Sequence, residues 1–326
     1  MLSAWQAHLP FDLLTALLAA DDPALAFFAR RDLLGEDAGA VERLWELPEP
    51  RALVQRQQAD GSWRYPGGGE LGTPGSNASL LETFRNLRVL VAQFGLTREH
   101  PAIPRAVDYV FRCQTPEGDI RGILSNQTIP YYHGALLELV IRSGYADDPR
   151  VAQGLRWLLA VRQDDRGWIV PVQAVPARLR AREMWSGPAI PPDRARPSSH
   201  LATGMALRAF AAHPWWRSCA EAHAAGAWLA SRLFQPDSYN DRRAPSYWTK
   251  FQYPFWWTNL LTALDTLAAL GWNAADAHVR RGLAWFADHQ QPDGLWPTGY
   301  ARGAKAQKSR CWVGLAVGRV LHAFAG

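Results

Sequence analysis

The stretch QQPDGLW, Gln290–Trp296, decides how the chain is read, because the same phrase has already occurred upstream. QQADGSW stands at Gln57–Trp63 and RQDDRGW at Arg162–Trp168, with shorter variants at Cys113–Ile120 (CQTPEGDI) and Phe234–Tyr239 (FQPDSY). A Gln, an acidic or Gly turn and an aromatic therefore recur five times, with Ile120 and Tyr239 where Trp is expected. Recurrence every roughly 50–70 residues marks an architecture built by repeating one supersecondary unit.

The unit is a helix pair. Before RQDDRGW, Val151, Leu155, Leu158, Leu159 and Val161 fall on one helical face, and Asp148-Pro149 supplies a cap followed by proline at the first helical position. After it, PSSHLATGMALRAFAAH is apolar nearly all round, as a buried helix is. Amphipathic helices are expected over 41–57, 103–113, 149–162, 217–234 and 275–290, each running into the Gln/Gly phrase. More apolar helices are expected over 77–94, 129–143, 198–212, 255–270 and 310–324, and residues 11–34 supply one more pair. Gly95, Gly144 and Gly271 suit the left-handed residue that closes a helix. No strand alternation is visible. The expected fold is all-α: a single domain over 1–326, with five to six hairpins and inner and outer helices in turn, 1–40 holding the N-terminal pair. In it the phrase acts as a staple at each outer-to-inner turn. Asp-Gly makes the turn, Gln satisfies helix-end backbone groups, and the aromatic packs on the neighbouring hairpin.

Composition narrows the class. Of 326 residues 48% are apolar, enough for a large core, and 16 are Trp. Cys113, Cys219 and Cys311 have no paired spacing, so neither a disulfide framework nor a metal knuckle is expected. No run of about 18 apolar residues is present, and MLSAWQAHLP lacks a basic signal-peptide start. A cytoplasmic protein is expected, open to peripheral membrane contact. The formal charge of +5 suits an anionic partner without calling for nucleic acid.

The phrases QQADGSW, RQDDRGW and QQPDGLW resemble the Gln–Trp repeats of terpenoid cyclases such as squalene–hopene cyclase, over roughly residues 40–326. Protein prenyltransferase β subunits share the ring of helix pairs. The resemblance implies an α/α toroid, with inner helices around a central cavity. Its chemistry is another matter, since fold does not fix function. The DxDD of class II cyclases and the DDxxD of class I synthases are absent. Asp21-Asp22, Asp147-Asp148 and Asp164-Asp165 sit at turns or caps. WTKFQYPFWW (Trp248–Trp257) and KSRCWVGL (Lys308–Leu315) resemble the prenyltransferase zinc segments. Lys250 matches their diphosphate-contacting Lys, but Tyr253, Phe255 and Gln307 stand at the ligand positions, so no metal and no other cofactor is expected.

All the Gln/Gly turns lead into inner helices, so they share one rim. That rim gathers Arg302, Lys305, Lys308 and Arg310, then Arg178, Arg180, Arg182, Arg194 and Arg196 of the long loop 169–197, then Arg242, Arg243 and Lys250. Inner-helix N-termini add partial positive charge. An anion site is expected at this mouth, with Lys250, Lys308 and Arg310 as ligands and 169–197, carrying Trp185, as a lid. Alignment of the inner helices by their closing residues groups Glu82, Tyr131, His200 and Thr258 near the mouth, with His133, Trp256, Trp257 and Asn259 beside them. Glu82, His200 and Tyr131 are the candidate acid/base group, Glu82 replacing DxDD as proton donor. His133, Trp185, Trp256 and Trp257 are candidate substrate contacts, the aromatics able to stabilise a cation. Glu138 and Asp265 share a deeper register and equally suit helix–helix contacts. The expected function is isoprenoid handling, cyclase-like or prenyltransferase-like, on a small hydrophobic, anionic ligand. The rivals are an α/α-toroid lyase or hydrolase of acidic sugars and a non-catalytic binding protein.

Overall fold

The computed structural model describes residues 5–68, 71, 74–179, 182–239 and 242–325. Helices follow one another in outer–inner pairs: α1 (Leu13–Leu18) and α2 (Pro23–Leu33), α3 (Pro48–Gln55) and α4 (Ala78–Ala92), α5 (Ala102–Arg112) and α6 (Pro130–Val140). Next come α7 (Pro149–Ala160), the single turn α8 (Pro171–Ala174) and α9 (His200–Ala212), then α10 (Ala220–Ser231) with α11 (Leu260–Ala269), and α12 (Ala277–Asp288) with α13 (Ala304–Ala325). No strand occurs among the described residues, only isolated bridges such as that of Gln57 with Trp63. The fold is all-α.

Each inner helix packs on the next: α4 on α6, α6 on α9, α9 on α11, α11 on α13 and α13 on α2. The α6–α9 contact is intimate because Gly134 faces Ala206, where a Cβ would strike backbone. Gly95, just past α4, lies against Phe28 of α2, which completes the circle. Six pairs thus form an α/α toroid.

The phrase holds the toroid by a division of labour. Gln57 Nε2 donates to Gly61 O of its own turn and to Ala102 O at the start of the next outer helix. Gln114 does the same with Gly118 O and Arg150 O. Gln290 donates to Gly294 O and to Phe11 O, so the last repeat is tied to the first. In the third copy Arg162 occupies this place and donates to Glu221 O. The tryptophans do something different from packing on a neighbour: the indoles of Trp63, Trp168 and Trp296 donate to Leu53 O, Leu158 O and Phe286 O, each near the end of its own outer helix. In the fourth copy Trp248 donates to Gln235 O. Gly61 and Gly294 have φ of 89° and 81°, and a Cβ at either would run into the next outer segment, at Arg105 O or Asp12 O.

Three expected boundaries move. The helix drawn from 41 begins at Pro48, after a 3-10 turn over Val41–Glu46. The helix drawn over 255–270 begins at Leu260, because Asn259 forms a capping box with Thr262 and Pro254 lies upstream. The helix drawn from 310 begins at Ala304. The expected turn and cap positions hold: Asp22 caps α2 by accepting from Ala24 N and Leu25 N, Asp148 caps α7 by accepting from Arg150 N, and Asp165 lies in a turn and accepts from Ser198 N. The loop 169–197 is pinned to the α5–α6 connection, where Asn126 N donates to Trp185 O and Gln127 Nε2 to Met184 O.

Candidate functional site

The bore of the ring is not empty at its N-terminal mouth. Residues 250–259 form a closed loop whose neck is the hydrogen bond from Asn259 Nδ2 to Lys250 O, 3.2 Å. Its tip touches three inner helices. Arg88 of α4 donates to Phe255 O at 2.7 Å and to Pro254 O, Arg208 of α9 donates to Trp256 O at 3.1 Å, and the Tyr253 ring stacks on Trp312 of α13 at 5.4 Å. Tyr253 OH reaches Ala92 O, in the last turn of α4. The loop is therefore a plug. The aromatic wall expected at Trp256 and Trp257 exists, but as part of this plug: the two indoles stack at 5.4 Å and pack on Phe84, Tyr131 and Tyr132.

Beyond the plug, at the opposite mouth, lies a cavity of about 440 Å³. Its walls come from the C-terminal halves of the inner helices: Asp32 of α2, Val91 and Ala92 of α4, Asp265 of α11, and Ala316 and Arg319 of α13. Arg31, Arg88, Arg142, Arg208 and Arg319 face it against Asp32, Glu138 and Asp265, a formal excess of two positive charges. Glu138 is 3% exposed and contacts Arg142 Nε at 3.1 Å and Arg208 Nη2. Asp32 accepts from Arg319 Nε at 2.8 Å and from Arg31 Nε at 2.6 Å. Asp265 has Arg142 Nη2 at 3.8 Å, too far for a hydrogen bond. Burial, reinforced by the charge of Arg208, pulls the Arg88 guanidinium down to about 9. Arg208 is itself 4% exposed, and its Nε has no hydrogen-bond partner among the described residues. Buried guanidinium charge left short of partners is costly, and an anion in the cavity would relieve it. Phe28, Val41, Leu139 and Phe255 add an apolar side to the same space.

The residues expected at the N-terminal mouth are each engaged by other partners. Glu82 pairs with Arg85 at 3.1 Å and accepts from Asn86. Tyr131 is buried against Tyr132 and Trp257. His200 is buried on Trp248 with Nδ1 3.3 Å from Asp237, and burial outweighs that carboxylate, drawing the imidazole down to about 4. Thr258 donates to Leu201 O. His133 accepts from Ile120 N on Nδ1 and meets Gly154 O at 3.1 Å through Nε2, and its burial also takes it to about 4. It braces the second repeat.

Part of the basic rim is ion-paired. Lys308 meets Glu49 at 2.6 Å and Asp22 at 3.7 Å, and Arg310 meets Asp293 at 2.8 Å. Lys250 lies 3.9 Å over the Tyr247 ring. Arg180 lies outside the described residues, as does the side chain of Arg182. Trp185, within the long loop, is half-buried. None of these lines the cavity. At the positions compared with prenyltransferase zinc ligands, Tyr253 and Phe255 belong to the plug and Gln307 lies beside Arg310. No group of His, Cys, Asp and Glu among the described residues is arranged to hold a metal ion. No helix is long and apolar enough to cross a membrane.

The cavity arginines carried a signal that sequence reasoning missed. Arg88, Arg208 and Arg319 stand in apolar stretches of their helices, LRVLV, ALRAF and VGRVL, and charge in such a stretch must be buried and paired. Glu138 and Asp265 were visible by register; what they face was not.

No family model matches the chain, and no curated protein sequence does. Among solved structures, the chain is similar to a protein from Actinoplanes, with 15% identity over 99% of this chain and 89% of that one, TM-score 0.45. It is also similar to the type II terpene cyclase MstE from Scytonema in its apo form, with 14% identity over 95% and 98% of the two chains, TM-score 0.46. A variant of that enzyme in complex with geranylgeranyl dihydroxybenzoate gives 14% identity over 96% and 98%, TM-score 0.45. The toroid itself rests on the helix contacts of the chain described above.

Proposed function

We propose that this protein handles an isoprenoid, seating an anionic head among the arginines of the C-terminal cavity and the apolar chain against Phe28, Val41, Leu139 and Phe255. The observation that carries this is the pair Arg88 and Arg208: two buried guanidinia, one with a free Nε, that share a cavity with an excess of positive charge. A cavity of about 440 Å³ is within the range of small-molecule sites. The Gln–Trp phrases supply the isoprenoid half of the proposal. The head sits at the mouth opposite the one the sequence suggested, because Lys308 and Arg310 of the rim are ion-paired while the cavity arginines are not fully matched.

Calorimetry with geranyl diphosphate and geraniol tests it. The diphosphate should bind at least about tenfold tighter, a difference of about 1.4 kcal/mol, and Arg208→Met or Arg142→Ala should abolish most of that preference. Lys250→Ala should leave it intact. Equal affinity for the two ligands removes the anion site, and binding of an acidic oligosaccharide in place of either gives the cavity to sugar chemistry.

A further inference from the structure

Three consecutive carbonyls of the plug converge on two of the cavity arginines. Arg88 donates through Nε to Phe255 O and through Nη2 to Pro254 O, and Arg208 donates through Nη1 to Trp256 O. No backbone N–H among the described residues reaches any of the three oxygens. Both guanidinia also face the cavity, and Tyr253, Pro254 and Phe255 of the plug line that same space. The plug and an anion in the cavity therefore draw on the same donors. We infer that the plug is a latch released by the anion: a head bound at Arg88 and Arg208 displaces the three carbonyls, residues 254–257 swing away from α4 and α9, and the cavity becomes continuous with the bore. The inference rests on the proposal that an anionic isoprenoid occupies the cavity.

The competition favours the anion. A carbonyl satisfies an N–H but brings no charge, so Arg88 and Arg208 remain buried cations while the plug is seated, and burial still draws Arg88 down to about 9. Phosphate oxygens accept the same N–H groups with a full negative charge, in hydrogen bonds roughly twice as strong as neutral ones. The displaced carbonyls need a new partner, and water at the N-terminal mouth is near, because Trp256 and Trp257 are only half-buried there.

Both ends of the moving segment are held independently of these arginines. On one side the Tyr253 ring stacks on Trp312, its hydroxyl bonds Ala92 O and Arg319, and Phe251 O accepts from Gly299 N and Thr298 Oγ1. On the other, Asn259 caps α11 and closes the neck on Lys250 O. The expected motion is thus confined to the tip between them. Its consequence is that an uncharged chain meets a closed floor at Phe255, whereas a chain with an anionic head removes the floor and gains the bore beyond it. Recognition at one mouth then sets whether the ring is open at the other.

The test follows hydrogen exchange residue by residue, with geranyl diphosphate and geraniol as probes and calorimetry to establish saturation. The diphosphate should speed exchange at Phe255, Trp256 and Trp257 at least about tenfold, within the usual range of coupling between two sites. Exchange at Gln252 and in α7 should stay as it was, and geraniol should change none of them. Arg88→Lys keeps the charge but loses the planar fork that spans two carbonyls. In this variant the same three amides should exchange fast without ligand, and the diphosphate should add less than about twofold. The wild-type comparison needs no variant, so an Arg88→Lys protein whose melting temperature shows it unfolded leaves the test intact. Wild-type protein that binds the diphosphate with exchange at the three amides unchanged or slowed overturns the inference, and so does a folded Arg88→Lys whose plug exchanges as slowly as wild type. Failure of the wild type to bind the diphosphate at all is the separate outcome that removes the proposed function, and this inference falls with it.

Discussion

Gln290→Ala should open the seam where the ring closes. In the native protein this side chain is 7% exposed and makes three hydrogen bonds: Nε2 to Phe11 O at 3.0 Å, Nε2 to Gly294 O at 2.9 Å, and Oε1 from Phe11 N at 3.0 Å. Alanine removes all three and leaves Phe11 N and O without these partners. At about 1 kcal/mol net per bond, the loss is about 2–4 kcal/mol. With about 2 °C per kcal/mol for a large domain, the melting temperature should fall by about 4–8 °C. Urea unfolding followed by circular dichroism measures it, and an unchanged m-value would show that the loss is one of stability rather than of denatured-state compactness. Gln58→Ala is the control. Gln58 is adjacent in the phrase of the first repeat but exposed, with its amide on Ser62 Oγ, and should cost less than about 0.5 kcal/mol. If Gln290→Ala matched Gln58→Ala, the phrase would not be what joins the last hairpin to the first, and closure would have to be assigned to the α13–α2 packing alone.

Trp296→Ala should cost about 3–5 kcal/mol, because the indole is fully buried and also donates to Phe286 O; a small shift in urea midpoint would contradict its role as a clamp on α12. Asn259→Ala should cost about 1 kcal/mol through loss of the capping box at α11, and should raise hydrogen exchange in the plug whose neck Asn259 also closes. His133 and His200 are both drawn from 6.5 to about 4, chiefly by burial. A lowered folded value means that their contribution is complete above the unfolded pKa and is lost as pH falls from about 6.5 towards 4, amounting to about 2 kcal/mol each by pH 5. Unfolding midpoints at pH 7.5 and pH 5 should show the loss, reduced in His133→Asn; midpoints that do not move would show that these imidazoles are reached by solvent.

The repeat could be read from the sequence because its physics is local. Gln57 and Gly61, or Gln290 and Gly294, lie four residues apart, and turn chemistry with a helix on each side is written in consecutive letters. The site was harder to read because its partners are distant in the chain. Lys308 looked like a free cation in a basic loop, yet its acids are Glu49, 259 positions away, and Asp22. Trp256 and Trp257 looked like the start of an apolar helix, since apolar periodicity cannot separate a buried loop from a buried helix; Asn259 was the cue to the true start. Arg88 binds carbonyls about 166 positions on, and nothing in its own neighbourhood foretells that. What could be seen was a charge in an apolar helix, which points to burial and pairing but not to a partner.

The central claim is that the ring holds an anion at its C-terminal mouth, behind the plug. Crystals soaked in tungstate, an oxyanion located by its anomalous scattering, put this to the test without any knowledge of the natural ligand. The account predicts a peak inside the cavity within hydrogen-bonding reach of Arg208, lost in Arg208→Met. A peak only at the opposite rim, beside Lys250 or Lys308, with the arginine cavity empty, would contradict it.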